Sequence, residues 1–293
     1  MSISTNKILV PIGFSDQSII ALSQALNLAR IKGSKIVILS VIEEPSIIES
    51  LLLHNKQNDL QDKIKERLND ILESLDASDI EIEIMIGSGK VYEEINNVAS
   101  MISPNLIVMG TDGAKKGVVR RFIGSNAERV IRSVSCPVIT IKGQNHREGC
   151  KNIILPLDLE KQTKEKVTLS IEYARYWDAT IRIISVILKD NSEVKKRLIS
   201  NMNQVEKFIK NANVECTTEM IYTKEKQKFG DVILSYAKEV KGDLLMIMTK
   251  QEELVLSNNI SVTARYIINN SDIPVMNIRP KKRKHITGPT TAF

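Results

Sequence analysis

The stretch Met109–Asn126, MGTDGAKKGVVRRFIGSN, holds the densest set of residues suited to one chemistry. Gly110 directly follows an apolar run, Gly113 comes three residues later, and Gly124 and Ser125 stand just before a helical stripe. Glycine lets a backbone approach a ligand closely and take positive φ. A helix start offers free N–H groups and a partial positive charge to phosphate oxygens. Ser125 adds a hydroxyl donor, while Lys115, Lys116, Arg120 and Arg121 add positive field. The chemistry expected is the binding of a nucleotide polyphosphate. Glycine spacing alone says little, however, because the same residues could simply shape a strand-to-helix turn.

No second chemistry competes. Gly87-Ser88-Gly89-Lys90 looks like the end of a P-loop. Val91 stands where a hydroxyl would bind magnesium, and Ile84 stands where the first glycine would be, so the stretch reads as a turn. The three histidines (His54, His146, His285) are far apart, and no G-x-S-x-G occurs. No nucleophile–base pair can be assembled from such residues, so no catalytic residue is assigned and at most a slow ATPase is expected. Cys136, Cys150 and Cys216 are scattered without a C-x-x-C. They indicate a reducing compartment, with neither a disulfide framework nor a metal site.

The elements that must position the glycines follow from hydropathy. Ile8–Val10 is a short apolar run before Pro11, and Ser15 or Asp16 is placed to cap the helix striped by Ile19, Leu22, Leu26 and Ala29, which Gly33 ends. Ile36–Ile42 is apolar on both faces, as a buried parallel strand should be. A late stripe from Leu60 to Leu75 predicts a helix, Ile80–Ile86 a strand, Val91–Ile102 a helix and Leu106–Met109 a strand. After the glycine loop come a helix with Ala127, Val130, Ile131 and Val134, and a last strand over Val138–Ile141. Strand and helix in alternation predict an α/β chain with a parallel sheet covered on both faces. Ligands of such sheets bind beyond the carboxyl ends of the strands where the strand order reverses, which gathers Pro11–Ser15, Val41–Glu43 and Gly110–Ser125 around one crevice.

The pattern occurs twice. Lys7–Ile42 aligns without a gap with Asn152–Ile187, so that Ile8, Pro11, Gln17, Ala29 and Arg30 recur as Ile153, Pro156, Gln162, Ala174 and Arg175. Asn105–Lys142 likewise matches Asp243–Arg279. The 293 residues therefore divide into domains at 1–143 and 151–280, joined by the polar Gly143–Cys150 and followed by a basic tail over 281–293. Second-copy strands are expected near Ile153–Leu155, Ile181–Ile187, Glu215–Ile221, Leu244–Met248 and Val275–Ile278. Hydrophobic residues make up 42% of the chain, enough for a core in each copy, while the 4% of aromatics argues against stacking platforms for single-stranded nucleic acid. The net charge of +6 owes much to Lys281–Lys284, which reads as a solvated end and is too little for nucleic-acid binding. No signal peptide precedes the first strand and no apolar run reaches the ~18 residues of a membrane span, so a soluble cytoplasmic protein is expected.

ILVPIGFS at the start, VMGTDG after the fourth apolar run and GSNAERVIRSVSCPVITI further on resemble landmarks of the universal stress protein family, over nearly the whole chain in two copies. The resemblance implies two tandem five-stranded parallel sheets, each in the order 3-2-1-4-5 and flanked by helices, of the adenine-nucleotide α-hydrolase type. It implies ATP, with Mg as its candidate companion, lying across strands one and four. The family's ATP-binding members carry G-x2-G-x9-G-[ST] at this loop. Carried over, Gly110 and Gly113 would face ribose and phosphates, with Met109 at the strand end before them. Gly124 and Ser125 would hold the polyphosphate, with Asn126 beside them. Val41 would line the adenine pocket, and Pro11 would begin the loop beneath it, which continues through Ile12 and Gly13. Dimers of the family pair through the last strand, so the two halves would form an intramolecular pseudo-dimer, with a homodimer left open. The family is mostly regulatory, which implies an unidentified protein partner.

Two features depart from the family pattern. Ten residues rather than nine separate Gly113 from Gly124, and Gly13 stands where the family commonly places an acid against the adenosine. The second copy has the opposite pattern. Asp158 aligns with Gly13, but Met248, Gln251, Ser261 and Val262 replace Gly110, Gly113, Gly124 and Ser125. The expected function is thus a stress-response regulator binding ATP in its first domain, with the second as structural partner. The alternative is a nucleotide-independent interaction scaffold with both sites degenerate.

Overall fold

The computed structural model describes residues 6–43, 57–111, 124–142, 149–158, 163–188, 192–225, 228–249 and 260–279. The expectations for Gly113, the four loop cations, most of the Gly143–Cys150 connection and the basic tail lie outside them. In the first half, β1 (Lys7–Ile12), α1 (Asp16–Lys32), β2 (Lys35–Ile42), α2 (Gln57–Ser74) and β3 (Ile82–Ser88) come first. They are followed by α3 (Val91–Ile102), β4 (Leu106–Gly110), α4 (Ser125–Ser133) and β5 (Val138–Ile141). The second half runs β6 (Asn152–Pro156), α5 (Thr163–Trp177), β7 (Thr180–Leu188), α6 (Ser192–Asn211) and β8 (Cys216–Thr223). It ends with α7 (Phe229–Glu239), β9 (Leu244–Met248), α8 (Val262–Asn270) and β10 (Val275–Ile278).

Both expected parallel sheets are present in the same order, and they are joined into one ten-stranded sheet, β3-β2-β1-β4-β5-β10-β9-β6-β7-β8. The join is the antiparallel pair β5–β10, which consumes what would otherwise be two open strand edges. Alternate residues of each strand feed opposite layers. Ile8, Val10 and Ile12 enter one core with Leu22, Leu26 and Leu68, while Leu9 enters the other with Ile95, Val130 and Ile131. Each core also takes residues of the second half, such as Tyr173 and Met202 in one and Tyr236 and Ile267 in the other, so packing is continuous across the join.

Local signals explain α1. Ser15 is its N-cap, its hydroxyl accepting from Ser18 N at 3.3 Å, and Gly33 closes it at φ 58°, a left-handed conformation that costs glycine little. At the other suspected motif, Gly89 sits at φ 125° between β3 and α3, with Lys90 as N-cap, so the stretch is the plain turn expected.

The join has local two-fold symmetry, with Ile139 opposite Met276, its equivalent in the second copy. Beside this pair, Asn277 donates from Nδ2 to Thr140 Oγ1 at 3.2 Å, again between equivalent positions. Lys142 donates to the carbonyl of Asn269 at the end of α8. Reciprocally, Arg279 donates to Ser133 O at 3.0 Å and Val134 O at 3.4 Å at the end of α4. A cation thus sits at each helix C-terminus, where the exposed carbonyls favour one. On the opposite face of the sheet, Lys32 of α1 pairs with Glu172 at 3.0 Å and lies 4.8 and 5.0 Å from the ring centres of Tyr173 and Tyr176 of α5.

Candidate functional site

β1 and β4 pair only at Ile8–Leu9 with Leu106–Ile107, then part toward their carboxyl ends. That divergence falls at the reversal of strand order, where ligands of such sheets bind. The expectation that Pro11 starts a loop is corrected, because Pro11 and Ile12 belong to β1 opposite Leu39 and Ser40 of β2. A proline without its N–H is tolerated there because pairing with β4 has already ended. Ile12 and Met109 are buried in the two cores, at 3% and 4% exposure, so their side chains support the crevice and do not line it. Gly13 and Ser125 are exposed, and Val41, Gly110, Gly124 and Asn126 are half-buried.

The end of the site next to α4 is built by Thr111. Its N–H donates to Ile141 O at 2.9 Å, and its carbonyl accepts from Gly124 N at 2.9 Å. One hydrogen bond therefore closes the glycine loop at its base. Gly124 is the N-cap of α4 and offers no side chain to the helix. A Cβ on Gly124 would stand 2.5 Å from Thr111 O, a distance no real contact shows, so a side chain there needs the backbone at the loop base to shift. The first-turn N–H groups of α4 thus receive no side-chain cap from that residue, the arrangement that suits an anion.

The second half repeats the frame and fills the site. Thr249 bonds Ile278 O and accepts from Ser261 N at 3.1 Å, as Thr111 does with Ile141 and Gly124. Here the cap residue is Ser261, whose hydroxyl accepts from Ala264 N at 3.2 Å and occupies one of the N–H groups itself. Val262, at 86% exposure, replaces the hydroxyl of Ser125 with apolar surface.

Gly110 is glycine for a packing reason. A Cβ there would lie 2.9 Å from the backbone of Gln17 and Ser18, so its absence lets the first turn of α1 rest against β4. Gly13 differs, because a Cβ added to it would meet nothing within 4 Å, so its missing acid leaves open space. Phe14, next in the chain, is held at φ 58°, unusual for a non-glycine residue, with the Arg67 guanidinium of α2 4.4 Å above its ring. Sequence reasoning misses Phe14, Arg67 and Thr111. For Thr111 a signal exists, since threonine recurs as Thr249 directly after the fourth strand of each copy.

Near α4, Lys90 bonds Glu93 at 3.1 Å, and Arg129 lies 4.4 Å above the Tyr92 ring. The Glu93 carboxyl is held below its usual range by the Tyr92 hydroxyl first and then by Lys90, so the charge of Lys90 already has a partner. All three cysteines are free thiols. Burial pushes Cys136 up to about 11 and also raises Cys150 and Cys216. Among the described residues no cluster of His, Cys, Asp or Glu could hold a metal ion, and no helix is long and apolar enough to cross a membrane.

Comparison with known proteins agrees with this architecture. The Universal stress protein family matches residues 4–142. Universal stress protein MJ0577 of Methanocaldococcus jannaschii is 31% identical over 162 residues, covering 50% of this chain and 99% of that protein. Universal stress protein YxiE of Bacillus subtilis is 27% identical over 147 residues, covering 47% of this chain and 99% of its own. Among solved structures, a universal stress protein from Archaeoglobus fulgidus superposes with a TM-score of 0.75 at 19% identity, covering 94% of this chain and 99% of that one, a likeness of fold. Being 31% identical over 162 residues to a relative that it spans almost end to end, the chain belongs to the universal stress protein family.

Proposed function

We propose that this protein is a cytoplasmic regulator that binds one adenine nucleotide, ATP, at the carboxyl end of β1 and β4, with residues 151–280 as a domain that no longer binds. The observation carrying this reading is the contrast at one position. Gly124 leaves the start of α4 without a side-chain cap, whereas Ser261 caps α8 with its own hydroxyl. In this reading Gly124, Ser125 and Asn126 hold the phosphates, Gly113 and Gly110 border the ribose, and Val41 lies against the base, with Pro11 and Ile12 as the floor. Magnesium would arrive with the nucleotide, held by its phosphate oxygens. Occupancy would change what a protein partner meets at the carboxyl end of the sheet.

The test is mass spectrometry of nucleotide released from protein purified without added ligand. About one ATP or AMP per chain is the expected result. Neither nucleotide, together with no calorimetric heat at millimolar ATP, would overturn the reading in favour of the nucleotide-independent scaffold, to which Gly13 and the longer loop point.

Restoring the acid gives a second measure. Since a side chain at Gly13 meets open space, Gly13→Asp should fold as the parent does. The new carboxylate should strengthen adenosine binding by about 1 kcal/mol, roughly fivefold. Calorimetry with adenosine checks this, and an unchanged or weaker affinity would remove Gly13 from the adenosine-facing set.

A further inference from the structure

Glu128 and Arg265 occupy the same position in the two copies, on α4 and α8, and they meet across the join. Arg265 donates from Nη2 to Glu128 Oε1 at 2.6 Å. In a pair of identical halves this position would face itself with like charge. Glu128 is the acidic residue in the first turn of α4, one turn from Ser125. A carboxylate there suits the free helix, because it answers the positive end of the helix dipole, but it opposes any phosphate arriving at the same end. Arg132, on α4 itself, stands 3.9 Å from Glu128, so the closer compensation comes from the second half. The side chain of Glu128 is 22% exposed, which leaves its charge only partly screened by solvent.

Resting on the nucleotide reading above, we infer that Arg265 is a positioning residue of the second half that neutralises Glu128 and so tunes the first half for phosphate. Arg279, at the far end of the same helix, anchors α4 against the join through the carbonyls of Ser133 and Val134. The second half thus acts on a site whose ligand it does not touch. It makes α4 receptive to a polyphosphate while leaving recognition of the base to β1 and β2.

The experiment compares ATP and adenosine affinities of the full chain by calorimetry at low ionic strength. Arg265→Ala should weaken ATP roughly two- to fivefold, the size of a single charge at a helix end, and leave adenosine unchanged. Glu128→Gln added to Arg265→Ala should restore ATP affinity, because it removes the charge that Arg265 had answered. Lys32→Ala, which opens the other face of the same join, should change neither affinity. Equal ATP affinity in parent and Arg265→Ala overturns the inference, as does an equal loss for adenosine, a failed rescue by Glu128→Gln, or the same loss in Lys32→Ala. A parent chain that binds neither ligand overturns the nucleotide reading, and the inference with it.

Discussion

Gly124→Ser is expected to abolish tight ATP binding while leaving the fold intact. The variant makes the first half copy the second. Ser261 already shows the outcome, with a backbone bond to Thr249 kept at 3.1 Å and the hydroxyl turned onto Ala264 N. At position 124 the same hydroxyl would take Ala127 N away from the ligand. One charge-assisted bond lost corresponds to about 2 kcal/mol, roughly thirtyfold in affinity. The Cβ would also stand 2.5 Å from Thr111 O, so the backbone at the loop base must shift, an adjustment that the equivalent Ser261 shows the frame can accept. That shift moves the remaining N–H groups, so the loss exceeds the single bond. Stability moves little, because the new cap contributes about 1 kcal/mol to α4 and offsets the crowding. Calorimetry with ATP alongside thermal unfolding separates the two. ATP affinity equal to the parent's in a folded Gly124→Ser chain would remove the α4 terminus from the site.

That contrast is half visible in the sequence. Aligning the two copies sets Gly124 against Ser261, but a serine in an alignment reads as either a phosphate donor or a cap. Only the 3.2 Å bond to Ala264 N decides that it serves its own helix. The strands are legible because buried parallel strands are continuous apolar runs. Val138–Ile141, Leu244–Met248 and Val275–Ile278 fall where hydropathy puts them. β3 begins later than its alternating pattern, at Ile82, since alternation does not mark where pairing with β2 starts. Pro11 begins a loop only in what the family resemblance implies, and its place in β1 becomes clear once one sees that β4 has already parted from β1. The reason for glycine at 110 lies in the backbone of α1, and the meaning of Glu128 lies in α8. Both depend on elements far apart in sequence, which no local pattern encodes.

The largest effect on stability is expected at the join and not at the site. Tyr173→Ala should destabilise the chain by about 3–5 kcal/mol, the range for deleting a buried aromatic ring. Tyr173 is 2% exposed and belongs to the core shared by both halves. Its ring meets Tyr176 edge-on at 5.9 Å and Trp177 at 5.8 Å, and the Lys32 ammonium of the first half lies 4.8 Å from its centre. Removing it leaves a cavity and deprives Lys32, whose side chain is only 9% exposed, of one aromatic wall. Tyr176→Ala, at a half-buried ring, should cost much less. Urea denaturation reads both, and a Tyr173→Ala midpoint no lower than that of Tyr176→Ala would contradict the shared core. A double-mutant cycle sharpens the argument, because Lys32→Ala should cost less in the Tyr173→Ala background than in the parent. The difference, about 0.5–1 kcal/mol, is the coupling of ring and ammonium across the join.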